Sequence, residues 1–150
     1  MTCRRLTRVL ASRCAGRTAH HQPLDRTTRD VHEPADRQRS AGVDDGNITT
    51  RWSASSFPQS VTIDLGANTQ ISSAQVVPYL DRAYRYRVET STDNSHWRTV
   101  IDRTTNTATG TRIDNFNTGA VSARYVRLTV TGVSGVSTTW ASIQEFAVYQ

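Results

Sequence analysis

Hydrophobic and polar positions alternate along the chain from about residue 40 onward. The alternation is clearest in residues 125–130, where Val126, Leu128 and Val130 would share one face of a strand and the three residues between them the other. Similar stretches, rich in Val, Ile, Thr and Tyr, recur about every 10–15 residues and are separated by Gly, Asn, Asp, Pro and Ser. The pattern predicts strands over residues 60–65, 71–78, 84–91, 97–102, 109–116, 123–131 and 143–149. Seven short strands at this spacing, with no long helical stripe, predict an all-β sandwich or jelly roll.

Residues 1–39 follow a different pattern, without a sustained period of either a strand or a helix. All 18 basic residues of the chain are arginines, and nine of them lie here against four acids, a net charge of +5. Residues 40–150 hold nine arginines and nine acids, a net charge of zero. Because the positive charge belongs to the tail and not to the folded part, we predict no nucleic-acid partner. We predict a disordered or atypical basic tail over 1–39 and one domain over 40–150.

The two cysteines, Cys3 and Cys14, both lie in the tail, so no disulfide can form within residues 40–150. They lack the accompanying ligand spacing that zinc sites have. No run of about 18 apolar residues occurs, so no spanning helix is predicted. The domain must therefore be held together by its apolar core and, where a site exists, by a metal.

Four motifs resemble, in order, those of the coagulation factor 5/8 type C, or discoidin, family. They are D-G-N-I-T-T-R-W at 45–52, V-T-I-D-L-G at 61–66, Y-R-V-E-T-S-T-D-N-S-H-W at 86–97, and A-R-Y-V-R-L at 123–128 followed by E-F-A-V-Y at 145–149. Each is weak alone, but together they span 105 residues. The resemblance implies a discoidin-type β-sandwich of the galactose-binding-like class, similar to family 32 carbohydrate-binding modules, preceded by an irregular N-terminal tail.

The same resemblance implies a structural calcium ion. The ligands it assigns are the side chains of Asp45, Thr50 and Glu145 and the carbonyls of Gly42, Asn47 and Gln144. These are hard oxygen donors of the type that calcium prefers, and Gly46 allows the sharp turn that would aim them at one point. The alternative is an Asx-type turn beside an exposed acid, without a metal.

Two loops carry the candidate ligand-binding residues. Trp140 ends a loop rich in Gly, Ser and Thr, where its flat face could stack on the C–H face of a sugar ring; alternatively it anchors the loop. The segment 78–84 combines Tyr79, Asp81 and Arg82, the mixed donors and acceptors that recognise sugar hydroxyls. The resemblance implies that an arginine of this loop contacts ligand, and Arg82 is our candidate. The alternative is an Asp81–Arg82 surface pair with buried tyrosines.

The sequence favours binding over catalysis. His96 is the only histidine after residue 40, it lies in a predicted turn, and no G-x-S-x-G or H-E-x-x-H motif occurs. The resemblance to discoidin domains and family 32 modules then implies a non-catalytic, monomeric, secreted carbohydrate-binding module that recognises terminal sugars of glycans. It would be an accessory domain of an extracellular bacterial glycoside hydrolase or lectin, without a membrane partner. Residues 53–58 lack the histidine common in galactose-preferring relatives, so simple galactose specificity is not expected. Two alternatives remain open: a discoidin domain for a protein or phospholipid surface, and a truncated product that folds poorly.

Overall fold

The computed structural model describes the backbone of Arg8–Val9 and residues 48–150. Within these residues a single 3-10 turn, Tyr79–Asp81, interrupts an otherwise all-strand structure. The strands are β1 Arg8–Val9, β2 Trp52–Ser55, β3 Gln59–Ile71, β4 Ser73–Pro78, β5 Ala83–Ser91, β6 Arg98–Arg103, β7 Arg112–Asn115, β8 Val121–Ser134 and β9 Trp140–Tyr149. No helix in this described part is long and apolar enough to cross a membrane.

The strands form two antiparallel sheets. One has the order β3-β8-β5-β6. In the other, β9 is central: β4 and then β7 follow on one side, while β2 and β1 also pair with β9. β2 pairs with the start of β9, from Trp52 opposite Ile143, and β1 pairs with its end, at Val148 and Tyr149. This arrangement confirms the predicted all-β sandwich.

All seven predicted segments overlap an observed strand, but their limits differ. β2, with the sequence W-S-A-S, was not predicted because it lacks the β-branched residues that mark the other strands. β7 is shorter than the predicted 109–116, since the backbone N–H of Gly110 instead donates to the carbonyl of Asp81 and supports the 3-10 turn. The interpretation of residues 1–39 stays a prediction, because Arg8–Val9 is the only described part of that segment.

The alternating positions form one apolar core between the sheets. Val126, Leu128 and Val130 of β8 are fully buried, as their spacing predicts. Trp52 is also buried, with 2 % of its surface exposed. Trp97 is only half-buried and lies against the guanidinium of Arg127, 4.0 Å from the ring centre. Burial of each large apolar side chain contributes about 1.5–3 kcal/mol, so the core is the main source of stability.

A polar cluster around Asp114 connects the two sheets. Asp114 of β7 accepts hydrogen bonds from the Tyr86 hydroxyl of β5 (3.2 Å) and from Arg103 of β6 (Nε, 3.2 Å), with which it also forms an ion pair. Burial, and then the neighbouring Asp114 carboxylate, raise the pKa of Tyr86 well above its usual range. The Tyr86 hydroxyl therefore stays protonated and remains a donor to Asp114.

Candidate functional site

The candidate site lies where β2, the 3-10 turn after β4 and the loop before β9 come together. The buried hydroxyl of Tyr84 connects these elements. It accepts hydrogen bonds from Arg82 Nη1 (3.3 Å) and from the backbone N–H of Ser142 (3.2 Å), and it donates to the carbonyl of Trp140 (3.1 Å). One donor and two acceptor positions are what a tyrosine hydroxyl provides, so its capacity is filled. A residue inside the core thereby positions two surface residues of the site.

We call the first recess at this end of the sandwich the Tyr79 recess; its volume is about 310 Å³. Its lining residues are Arg51, Ser53, Tyr79, Arg82, Thr138, Trp140 and Ser142. Two guanidiniums face the same tyrosine: that of Arg51 lies 4.2 Å and that of Arg82 5.8 Å from the centre of the Tyr79 ring. Cation–π attraction at these distances holds both arginines at the recess wall.

The indole of Trp140 is held in an exposed position. About half of this residue, 51 %, is accessible, although the first residue of β9 is fixed by backbone hydrogen bonds. The backbone carbonyl of Trp140 accepts a hydrogen bond from the Tyr84 hydroxyl, and its backbone N–H donates to Thr138 Oγ1 at 3.2 Å. Because the backbone bonds anchor the loop end, the ring itself is available as a flat apolar surface.

The 3-10 turn carries strained backbone next to the recess. Leu80 and Asp81 both have positive φ angles, 57° and 51°, in the left-handed region that side chains other than glycine rarely adopt. The turn is held by the hydrogen bonds from Arg82 N–H to the Tyr79 carbonyl and from Gly110 N–H to the Asp81 carbonyl. Such strain persists only where the surroundings enforce it, so the turn presents Tyr79 and Arg82 in a fixed orientation.

The structure brings Tyr79, Arg82 and Trp140, which were proposed from two separate loops, together in one recess; their contact with a ligand stays a prediction. Asp81 is exposed and does not line this recess, and no ion pair joins it to Arg82 within the part of the chain that the structure describes. A ligand contact by Asp81 stays a prediction.

Sequence analysis missed Arg51, Ser53, Thr138 and Ser142. Arg51 lies inside the D-G-N-I-T-T-R-W motif, whose oxygen donors indicate a metal site and not a sugar site. Ser53 and Ser142 are opposite each other in the β2–β9 pairing, and their hydroxyls lie 2.9 Å apart. That pairing could not be anticipated because β2 carried no strand signal.

The residues assigned to calcium divide into two groups. Gly42, Asp45 and Asn47 lie outside the described residues. Gln144 and Glu145 lie on β9, and Gln144 Nε2 donates to the carbonyl of Ile48 at 2.7 Å, which brings the segment that contains Thr50 beside them. Glu145 is buried, with 4 % exposed, an unusual environment for a carboxylate. No group of three or more His, Cys, Asp or Glu residues suited to a metal occurs among the described residues.

Comparison with solved structures gives similar domains from carbohydrate-active proteins. The family 32 carbohydrate-binding module of AlyQ, solved with 4,5-unsaturated mannuronic acid, is 30 % identical, with a TM-score of 0.61 over 73 % of this chain and 83 % of that one. Chitosan-binding module 1 of a chitosanase/glucanase from Paenibacillus sp. IK-5 is 27 % identical, with a TM-score of 0.63 over 73 % of this chain and 83 % of that one. The likeness to truncated AlyQ, which joins such a module to an alginate lyase domain, covers 73 % of this chain and 28 % of that one, at 30 % identity and a TM-score of 0.61.

The sequence comparisons identify the family. No curated protein matches the chain significantly. The family model for the F5/8 type C domain matches residues 28–146, so the match includes all four motifs except the last three residues and begins upstream of the predicted boundary at residue 40. Domains of this kind are generally non-catalytic. The chain belongs to the F5/8 type C domain family, and its structural neighbours include family 32 carbohydrate-binding modules.

Proposed function

We propose that the chain is a non-catalytic carbohydrate-binding module whose site is the Tyr79 recess, and that it recognises terminal sugars of glycans. The observation that carries the proposal is the half-exposed Trp140 beside a recess with a rigid polar rim. An apolar ring face can stack on a sugar ring, while guanidinium and hydroxyl groups supply donors and acceptors for the sugar hydroxyls. Aromatic surface combined with a few fixed polar groups is typical of small-ligand sites.

The rigidity of the rim favours binding in this recess. The side chains of Arg51 and Arg82 stack on or near Tyr79, and Arg82 is also bonded to the buried Tyr84 hydroxyl. Because these side chains are held before a ligand arrives, less conformational entropy is lost on binding.

The parent context belongs to the same proposal: an accessory domain of an extracellular bacterial glycan-degrading enzyme or a lectin, secreted and monomeric. The support comes from similar modules, one derived from a chitosanase/glucanase and one joined to an alginate lyase domain. Attachment to an enzyme would raise the effective affinity of a weak module, because the second contact then becomes intramolecular.

A glycan array with the full chain tests this function. We expect selective binding to a small set of terminal sugars and no binding to phosphatidylserine vesicles in a parallel sedimentation assay. Vesicle binding by a chain that ignores every glycan would instead favour the phospholipid-binding type of discoidin domain. A cooperative thermal melt of the same sample is the control, since it separates a folded chain without ligand from an unfolded one.

We also propose a structural calcium ion at the segment before β2. Thr50, Gln144 and Glu145 supply hard oxygen donors, and burial of the Glu145 carboxylate is costly unless cations or donors compensate it. Asp45, Asn47 and Gly42 would complete the set. A bound ion would hold the start of β2 against β9 and thereby support Arg51 and Ser53 at the recess.

Calcium is expected to raise the thermal stability of the chain. A ligand present at about 100 times its dissociation constant stabilises by about 2.7 kcal/mol, so the unfolding temperature measured with excess calcium should exceed that measured with a chelator. In Glu145→Gln this difference should disappear, whereas Asp102→Asn, a matched change at an exposed residue of β6, should retain it. Equal unfolding temperatures of the unsubstituted chain with calcium and with chelator would contradict the calcium proposal.

A further inference from the structure

A second recess lies beside the first, and the two share Thr138 and Trp140. Its volume is about 660 Å³, within the range of pockets that hold small ligands. Its lining residues are Phe57, Arg85, Thr131, Gly132, Val133, Val136, Ser137, Thr138, Thr139 and Trp140. We call it the Arg85 recess. Because the recesses are adjacent, a ligand longer than one sugar can occupy both while it contacts Trp140.

The charged residues described along these recesses are all arginines. Among the described residues, Arg51 and Arg82 are the only charged ones that line the Tyr79 recess, and Arg85 is the only charged one that lines the Arg85 recess. Within the described residues none of these three arginines forms an ion pair, whereas four arginines elsewhere do, each with an Asp or Glu partner. These three arginines are thus separated from the acidic residues that pair with arginines elsewhere, although residues 40–150 as a whole have no net charge. Three arginines that have no ion-pair partner among the described residues keep guanidinium N–H groups that can bind an anionic ligand.

The alternation of β5 places Arg85 in its recess. Tyr84 and Tyr86 on either side are buried in the core, so the side chain of Arg85 lies on the outer face of the sheet, opposite Gly132 of β8. Arg85 Nη2 then donates to the carbonyl of Val133 at 2.9 Å. This bond uses one of the five guanidinium N–H groups, and Arg85 is exposed, so further donors are available to a ligand.

We propose that the ligand is an acidic oligosaccharide that extends across Trp140, with uronate carboxylates bound by Arg51 or Arg82 on one side and by Arg85 on the other. This rests on the proposed carbohydrate-binding function and adds the class of ligand and a second subsite. Guanidinium and carboxylate form paired, charge-assisted hydrogen bonds, which a neutral sugar cannot make. Phe57 and Val136 give the Arg85 recess an apolar wall for the ring of a second sugar.

Isothermal titration of the full chain with oligogalacturonates of one to four units tests the proposal. We expect the affinity to rise about tenfold when the oligomer becomes long enough to reach Arg85, and to fall by at least about tenfold when the same oligomers are methyl-esterified. Arg85→Gln should lower the affinity for long oligomers to that for the single unit. Arg98→Gln, the same change at an exposed arginine of β6 that lines neither recess, should bind as the unsubstituted chain does.

The outcomes distinguish this inference from the proposed function. Equal affinity for acidic and esterified oligomers, or no effect of Arg85→Gln at any length, overturns the acidic ligand or the second subsite, while glycan binding itself still stands. Binding of sulfated but not uronate oligomers also overturns the proposal as stated. If no glycan of any charge binds a chain that melts cooperatively, both the inference and the proposed function fail.

Discussion

Replacement of Trp140 by alanine is expected to remove most of the carbohydrate binding and to leave the fold intact. Trp140 is the one aromatic side chain, among the described residues, that lines both recesses. Truncation of a tryptophan at the centre of an interface costs about 2 kcal/mol or more. That corresponds to a dissociation constant about thirtyfold larger. The measurement is titration calorimetry with the best glycan from the array.

The fold should tolerate this change because the backbone, not the ring, is bonded to its surroundings. The carbonyl and the N–H of residue 140 keep their bonds to Tyr84 and Thr138 in the alanine variant. Ile113→Ala is the matched control: Ile113 is 52 % exposed, close to the 51 % of Trp140, but lies on β7 and lines neither recess. If Trp140→Ala binds glycan as tightly as Ile113→Ala does, Trp140 is not the surface on which the sugar stacks.

Replacement of Asp114 by alanine is expected to have the largest effect on stability. It removes the acceptor of the Tyr86 hydroxyl and the partner of Arg103 at a site where the Asp114 side chain is 12 % exposed. Leaving buried donors without an acceptor costs about 1–3 kcal/mol, and more when one of them is charged. We therefore expect a loss of about 2–3 kcal/mol in the free energy of unfolding, measured by denaturant titration.

The control for this prediction is an ion pair on the surface. Asp64 pairs with Arg124 through two hydrogen bonds of 2.9 and 3.0 Å, but the side chains are 46 % and 41 % exposed. The bond from Arg124 lowers the pKa of Asp64, yet water screens an exposed pair, so Asp64→Ala should cost less than about 1 kcal/mol. If both alanine variants lose the same stability, the cluster around Asp114 does not connect the sheets as inferred.

Asp114→Ala is expected to cost more stability than Asp64→Ala because Asp114 lies between the two sheets. Asp114 belongs to one sheet, and Tyr86 and Arg103 to the other, so the cluster supplies a polar connection between the layers. Both cysteines lie before residue 40, and no disulfide can support residues 40–150. Outside the apolar core, this cluster and the hydrogen bonds of the Tyr84 hydroxyl to β9 connect the two sheets.

The sequence alone determined the class of fold, most strand positions and the family. Strand alternation is local, so the burial of Val126, Leu128 and Val130 follows from their spacing without knowledge of the rest of the chain. The motifs at 45–52 and 86–97 are also local, and they identified the family before any contact was known. The composition of the loop before Trp140 indicated this residue as a ligand-binding candidate, and loop composition is again a property of neighbours in the chain.

Only the tertiary structure decided which residues meet. Arg51 reaches Tyr79 because β2 pairs with β9, and β2 has no strand signal of its own. Arg85 lies in the second recess because β5 pairs with β8, and such a pairing is set by contacts with a strand more than 40 residues away. Pairings over such distances depend on how the whole core packs, whereas the periodicity read from the sequence records only which face of each strand is buried.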